Sequence, residues 1–209
     1  MYNPSWRSRS ALPPLLALLL ATLGCGGDPS ADSPPPLRIA AAADLQQTLP
    51  EVLAAYGDRD GQVAPPTFGA SGDLAEQIRA GAPFDVFLSA DMTRPEALEA
   101  EGAVEKGSVA PYARGSLVML VHAGAAGEVS TLADLPRPAV RKVALANPET
   151  APYGLAARNA LERAGLWEVL QPKLVIAGSV SQALLHVEEG NADAALVSRS
   201  LAGGATSKV

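Results

Sequence analysis

The 209-residue chain has a single cysteine, Cys25, and two histidines, His122 and His186. That inventory excludes a disulfide framework and a Cys/His zinc centre. No Asp/Glu run has the ligand spacing of a calcium loop, so no direct metal-cation site is expected. A G-x-x-x-x-G-K-[ST] phosphate loop is also missing, and the chain itself is not expected to hydrolyse nucleotides. Lys and Arg number 16 against 22 Asp and Glu, a formal net charge of −6. With no basic cluster and no aromatic–basic interleaving, nucleic acid is not an expected partner. Aromatics make up 4% of the chain while hydrophobic residues reach 48%. Ala, Leu and Val must therefore fill the core, as they do where Val/Leu/Ile strands lie under Ala-rich helices.

The N-terminus reads as an address. Arg7 and Arg9 form a positive start, residues 11–23 are apolar apart from Pro13 and Pro14, and Gly24 precedes Cys25. This is the pattern of a secretory signal, and the apolar run is too short for a comfortable transmembrane helix. A lone Cys after a small residue at the end of such a run resembles a bacterial lipobox, with Thr22 where a large aliphatic residue is commoner. Residues 1–24 are read as the signal and 25–36 as a lipidated tether. The stretch 26–36 is rich in Gly, Ser, Asp and Pro, cannot bury a core, and ends in three prolines. An acylated Cys25 would hold the domain at a membrane surface.

From Leu37 the pattern alternates. Short apolar runs at 37–42, 63–68, 86–89, 117–121, 143–146, 174–177 and 194–197 predict strands. Helical spacing predicts helices over 45–56, 74–80, 92–101, 155–164 and 181–189, with a helical turn at 132–135. Gly81, Gly102, Gly165 and Gly190 stop four of the helices. Strands alternating with helices imply an α/β fold with mostly parallel sheets and helices on both faces. A break near residues 113–116 divides the chain into an expected first lobe, 37–115, and second lobe, 116–209.

Four strand-to-helix turns carry the chemistry. They contain Asp44, the run 69–73 with Ser71, the run 147–154 with Tyr153, and the run 177–181 with Val180. In a parallel sheet such turns lie at the carboxyl ends of the strands, where open α/β folds bind ligands. Helix N-termini offer unpaired N–H groups and the positive end of the macrodipole, so several aimed at one cavity hold an anion without Lys or Arg. Taken singly, Ser, Asp and Gly there are also ordinary N-cap residues.

The same turns carry a family resemblance. Residues 37–45 (LRIAAAADL), 68–78 (FGASGDLAEQI), 81–91 (GAPFDVFLSAD), 146–156 (ANPETAPYGLA) and 181–197 (SQALLHVEEGNADAALV) resemble, in order, the periplasmic molybdate-binding proteins of ABC importers, among the type II solute-binding proteins. The likeness spans residues 37–201. It implies a two-lobed periplasmic-binding-protein-like fold with a hinge, an oxyanion (molybdate or tungstate) held by neutral donors, no cofactor, and no catalysis. It also implies a monomer that delivers its ligand to a permease driven by a separate ATPase subunit. Carried over by position, Ser71 would donate its hydroxyl and amide, and Tyr153 and Val180 their backbone amides. Asp44 stands where many members have the Ser of AAASL, which places the chain in an AAADL branch; it is expected to cap its own helix with its amide toward the ligand. Ser198 stands where some members have Tyr, with Arg199 beside it. The chain also stops short of the family's usual returning strand and closing helix, so the first lobe is expected to be incomplete.

Rival readings differ in what Ser71 does. Residues 69–72 look like part of a G-x-S-x-G nucleophile elbow, but Asp73 replaces the final Gly. A serine hydrolase would need His122 or His186 as its base. A binding protein for another oxyanion, sulfate or phosphate, or for a small organic anion would share the fold and differ in cavity size and donor pattern. A surface lipoprotein that has lost binding is the remaining alternative.

Overall fold

The computed structural model describes residues 35–56 and 63–205. The expected signal, Cys25 and most of the expected tether lie outside the described residues. The first sheet is built from β1 (Ile39–Ala42), β2 (Thr67–Gly69) and β3 (Val86–Leu88), in the order β2-β1-β3 and all parallel. Its helices are α1 (Thr48–Tyr56), α2 (Ser71–Arg79) and α3 (Thr93–Ala100). The second sheet, in the order β4-β7-β5-β6, comprises β4 (Leu117–Val121), β5 (Val143–Ala146), β6 (Leu174–Ala177) and β7 (Ala194–Ser198). Only β4 in that sheet runs antiparallel to its neighbour, β7. Helices α4 (Pro152–Arg163), α5 (Trp167–Leu170), α6 (Val180–Glu188) and α7 (Arg199–Ala202) belong to this half.

The two-residue period of the strands sorts the second core into two layers. Val143 and Leu145 of β5, with Ala194 and Leu196 of β7, pack with Ala157 and Leu161 of α4 and Leu170 of α5. The alternate residues Ala144, Ala146, Ala195 and Val197 pack with Val180, Ala183, Leu184 and Val187 of α6. Small side chains on the α6 face let that helix approach the sheet closely; Leu and Val fill the other. Met119 and Trp167 pack against the first layer, as core residues. Leu161 is fully buried, so Leu161→Ala is expected to cost about 2–5 kcal/mol, read as a fall in the denaturant midpoint without a change in slope. In the first half, Ile39 and Ala41 pack with Leu49 of α1, flanked by Phe68, Val86 and Leu88.

Helix ends follow the glycines: Gly81 and Gly165 close α2 and α4 at φ 85° and 69°, a conformation that a side chain strains. Four predicted elements shift most. The expected helix over 45–56 is broken into a 3-10 turn at Ala43–Leu45 and α1, which begins at Thr48 with Pro50 in its first turn, where a missing N–H costs nothing. The 63–68 strand shrinks to Thr67–Gly69, with Val63 making only an isolated bridge to Leu37, because Pro65 and Pro66 cannot donate to a ladder. Helices α2 and α4 each start three residues earlier than their apolar periodicity, at Ser71 and Pro152.

Candidate functional site

Three helices point their N-termini at one small cavity, and they come from both halves of the molecule. Its lining includes Ala42 and Asp44 from the turn after β1, Ala70 and Ser71 at the start of α2, Ala151 and Tyr153 at the start of α4, and Val180 at the start of α6. Its volume is about 10 Å³. That is far below the ~300–1,000 Å³ of pockets for drug-sized molecules. In this arrangement the halves leave no room there for an extended organic solute.

The capping of these helices is informative. The N-cap of α2 is Ala70 and that of α4 is Ala151, and neither provides a side-chain hydrogen bond. Alanine at an N-cap costs ~1 kcal/mol relative to Ser, Thr, Asp or Asn. It also leaves first-turn N–H groups with no intrahelical partner uncovered by any side chain, so an anion can reach them. Pro152 at the first position of α4 removes one such donor, and Tyr153 supplies the next. Only α6 is capped conventionally: Ser179 Oγ accepts from the Gln182 N–H at 3.3 Å.

Ser71 is completely buried and occupies the first turn of α2. Its Oγ accepts from the Ala90 N–H at 3.0 Å. With that lone pair occupied, the hydroxyl proton is free to be donated elsewhere, in the sense a bound anion requires. Asp44 lies within the 3-10 turn, whose N-cap is Ala42, so it does not cap a helix as expected. It is 7% exposed, and its Oδ1 is buried without a hydrogen-bond partner. Burial pushes the Asp44 carboxyl above the usual carboxylate range, while its own backbone N–H and the Tyr153 hydroxyl pull it back down. Burial, followed by the Asp44 charge, raises the Tyr153 phenol in turn. The Tyr112 phenol is pushed up to about 12 by the same two causes.

Ser198 is not brought to this cavity. It is fully buried at the end of β7 and caps the short helix α7, accepting from Leu201 N–H at 3.4 Å. Its neighbour Ser200 donates instead to the Asp44 carbonyl at 2.9 Å, and Arg199 lines a wide groove of about 1290 Å³ that runs from Asp44 along β3. Phe84, Phe87 and Leu88 are half-buried on that groove rather than in a closed core. Asp91 accepts from the Arg94 N–H at 3.2 Å and pairs with the Arg94 guanidinium, although the residue at the cap position of α3 is Met92. Neither histidine lines the Ser71 cavity, so neither imidazole stands beside the hydroxyl. Among the described residues no cluster of His, Cys, Asp and Glu could hold a metal ion.

The two halves meet at the cavity. The Gly72 N–H donates to the Thr150 carbonyl at 2.8 Å, and Arg94 Nη2 donates to the Glu149 carbonyl at 3.3 Å. A side chain at Gly72 has no room: a Cβ there would stand 2.7 Å from the Thr150 oxygen. Sequence reasoning missed Tyr112, whose hydroxyl donates to the Ser89 carbonyl at 2.8 Å and whose ring lines the groove beside Asp44. It lies in an irregular segment with no local motif.

Two α/β halves with mostly parallel sheets, meeting over a small cavity ringed by helix N-termini, define a binding protein for a compact solute. Comparison with known proteins gives the family: residues 37–208 match the bacterial extracellular solute-binding protein family, and the chain belongs to it. The family binds solutes and does not catalyse reactions on them. The chain is 37% identical to the molybdate-binding protein ModA of Azotobacter vinelandii, over 88% of this chain and 73% of that protein. It is 37% identical to ModA of Rhodobacter capsulatus over 77% of this chain, but spans only 63% of that protein. The solved periplasmic molybdate-binding protein of Azotobacter vinelandii superimposes with a TM-score of 0.72 at 34% identity, covering 78% of this chain and 71% of that one.

Proposed function

We propose that this protein binds molybdate or tungstate outside the cytoplasm and delivers it to an ABC importer. One observation carries the reading: first-turn donors of α2, α4 and α6, two of these helices lacking a side-chain cap, converge on one small cavity. That these relatives are molybdate-binding proteins supports the choice of ligand. In this reading the Ser71 hydroxyl and amide and the Tyr153 and Val180 amides donate to the anion, and Asp44 closes one side of the cavity. Neutral dipoles compensate the charge without a tight ion pair, which allows release to a permease.

Residues 37–115 and 116–209 act as two lobes hinged near 113–116. The ligand enters while they are apart; closure forms the Gly72–Thr150 contact and excludes water, which strengthens each hydrogen bond. The protein works as a monomer, with neither cofactor nor nucleic acid, and Cys25 carries the lipid that holds it near the permease and its separate ATPase. Titration calorimetry of the purified chain with molybdate, tungstate, sulfate and phosphate tests the ligand assignment. Saturable binding of the first two, with sulfate and phosphate much weaker, is the expected result. Preference for sulfate or phosphate would move the protein to another oxyanion, and preference for an organic anion would reject the reading.

A further inference from the structure

Asp44 is out of place in a site for a dianion. A carboxylate only accepts hydrogen bonds, and so do the oxygens of the anion. Yet Asp44 lines the cavity with Ser71, Tyr153 and Val180, and its Oδ1 is buried with no partner of its own. Two acceptors sharing one dry cavity need a proton between them. We infer that oxyanion binding is proton-linked: one proton enters with each dianion and is held between Asp44 Oδ1 and a ligand oxygen.

The inference rests on the oxyanion reading above. Its chemistry is a single protonation: a solvent proton adds to the carboxylate or to the anion, no other bond forms or breaks, and nothing is oxidised. The surroundings permit it. Tyr153 from α4 and Tyr112 from the segment before β4 face Asp44 and are neutral donors. The helices α6 and α7 bring Val180 and Leu201 against the turn. Arg114 and Arg199 lie on the groove side, and Asp85 and Asp91 of that groove are already paired with Arg38 and Arg94, leaving exposed Glu105 as the groove's remaining carboxylate. Burial also raises the Asp44 carboxyl even without a ligand, the direction the mechanism needs. A shared proton favours anions that are conjugate bases of weak acids, such as molybdate and tungstate. It disfavours sulfate, which binds protons far more weakly.

The test is calorimetry with molybdate on the full chain, in several buffers of different ionisation enthalpy, from about pH 6 to about pH 9. Proton uptake per anion is expected to approach one where free Asp44 is ionised, with affinity falling about tenfold per pH unit there. In Asp44→Asn, whose amide donates without titrating, uptake is expected to vanish and the pH slope to flatten. Tight binding with uptake near zero at every pH would overturn the inference and leave the molybdate assignment standing. Unchanged uptake in Asp44→Asn would assign the proton to another group and also overturn it. Absence of any binding by the folded parent would remove both the inference and the assignment. If Asp44→Asn fails to fold, the parent's proton count and pH slope still decide.

Discussion

A Gly72→Val protein is expected to fold and to bind molybdate at least about 100-fold more weakly, a loss of ~2.7 kcal/mol. The valine Cβ would fall 2.7 Å from the Thr150 carbonyl oxygen, 3.0 Å from the Thr150 Cα and 3.1 Å from Arg94 Nε. Two of these neighbours are backbone and cannot swing aside. The N–H of the same residue makes the Gly72–Thr150 hydrogen bond between the halves. The closed arrangement is therefore penalised while each half keeps its own core. Apparent affinity falls in proportion to the competent fraction. Small-angle scattering on the ligand-saturated variant should report a more extended particle than the parent. Parent-like affinity would show that closure does not depend on this contact.

Ser71→Ala is expected to weaken binding by about 1.5–3 kcal/mol, roughly ten- to hundredfold in Kd, because it deletes a donor to a charged acceptor in a dry site. The same change leaves the buried Ala90 N–H without its acceptor, so a fall in thermal midpoint of the ligand-free protein should accompany it. The two effects separate by measurement. Calorimetry below the unfolding range reads affinity, and scanning without ligand reads stability. A lower midpoint with unchanged Kd would make Ser71 a scaffold residue. Cysteine at the same position would keep a weak donor and is expected to fall between the two.

Much of the architecture is legible from local pattern. The strands at 117–121, 143–146 and 174–177 lie where their apolar runs predict; β5 is buried along its whole length, as a strand covered on both faces must be, while the edge strands β4 and β6 stay partly exposed. Gly81, Gly102, Gly165 and Gly190 mark helix ends because the positive φ there excludes most other residues. Short elements were not legible: α5 and α7, four residues each, contain too little periodicity to register. The cavity was legible only in part. Ser71, Tyr153, Val180 and Asp44 meet there, whereas Ser198 turns away to cap α7. The alanine caps Ala70 and Ala151 carry no motif, since what matters is a hydrogen bond they do not make. Asp44 illustrates the same limit. Its type and position are plain in the sequence, but the elements packed over its turn include α6 and α7, more than a hundred residues away.

The central claim is that the cavity at the N-termini of α2, α4 and α6 is the oxyanion site. Crystals of the full chain grown with tungstate test it most directly, because the anomalous scattering of tungsten locates the anion independently of any assumption about its ligands. The account predicts one dominant peak within hydrogen-bonding distance, through the tungstate oxygens, of Ser71 Oγ and the amides of Tyr153 and Val180. A fully occupied peak elsewhere, with this cavity empty, would contradict it.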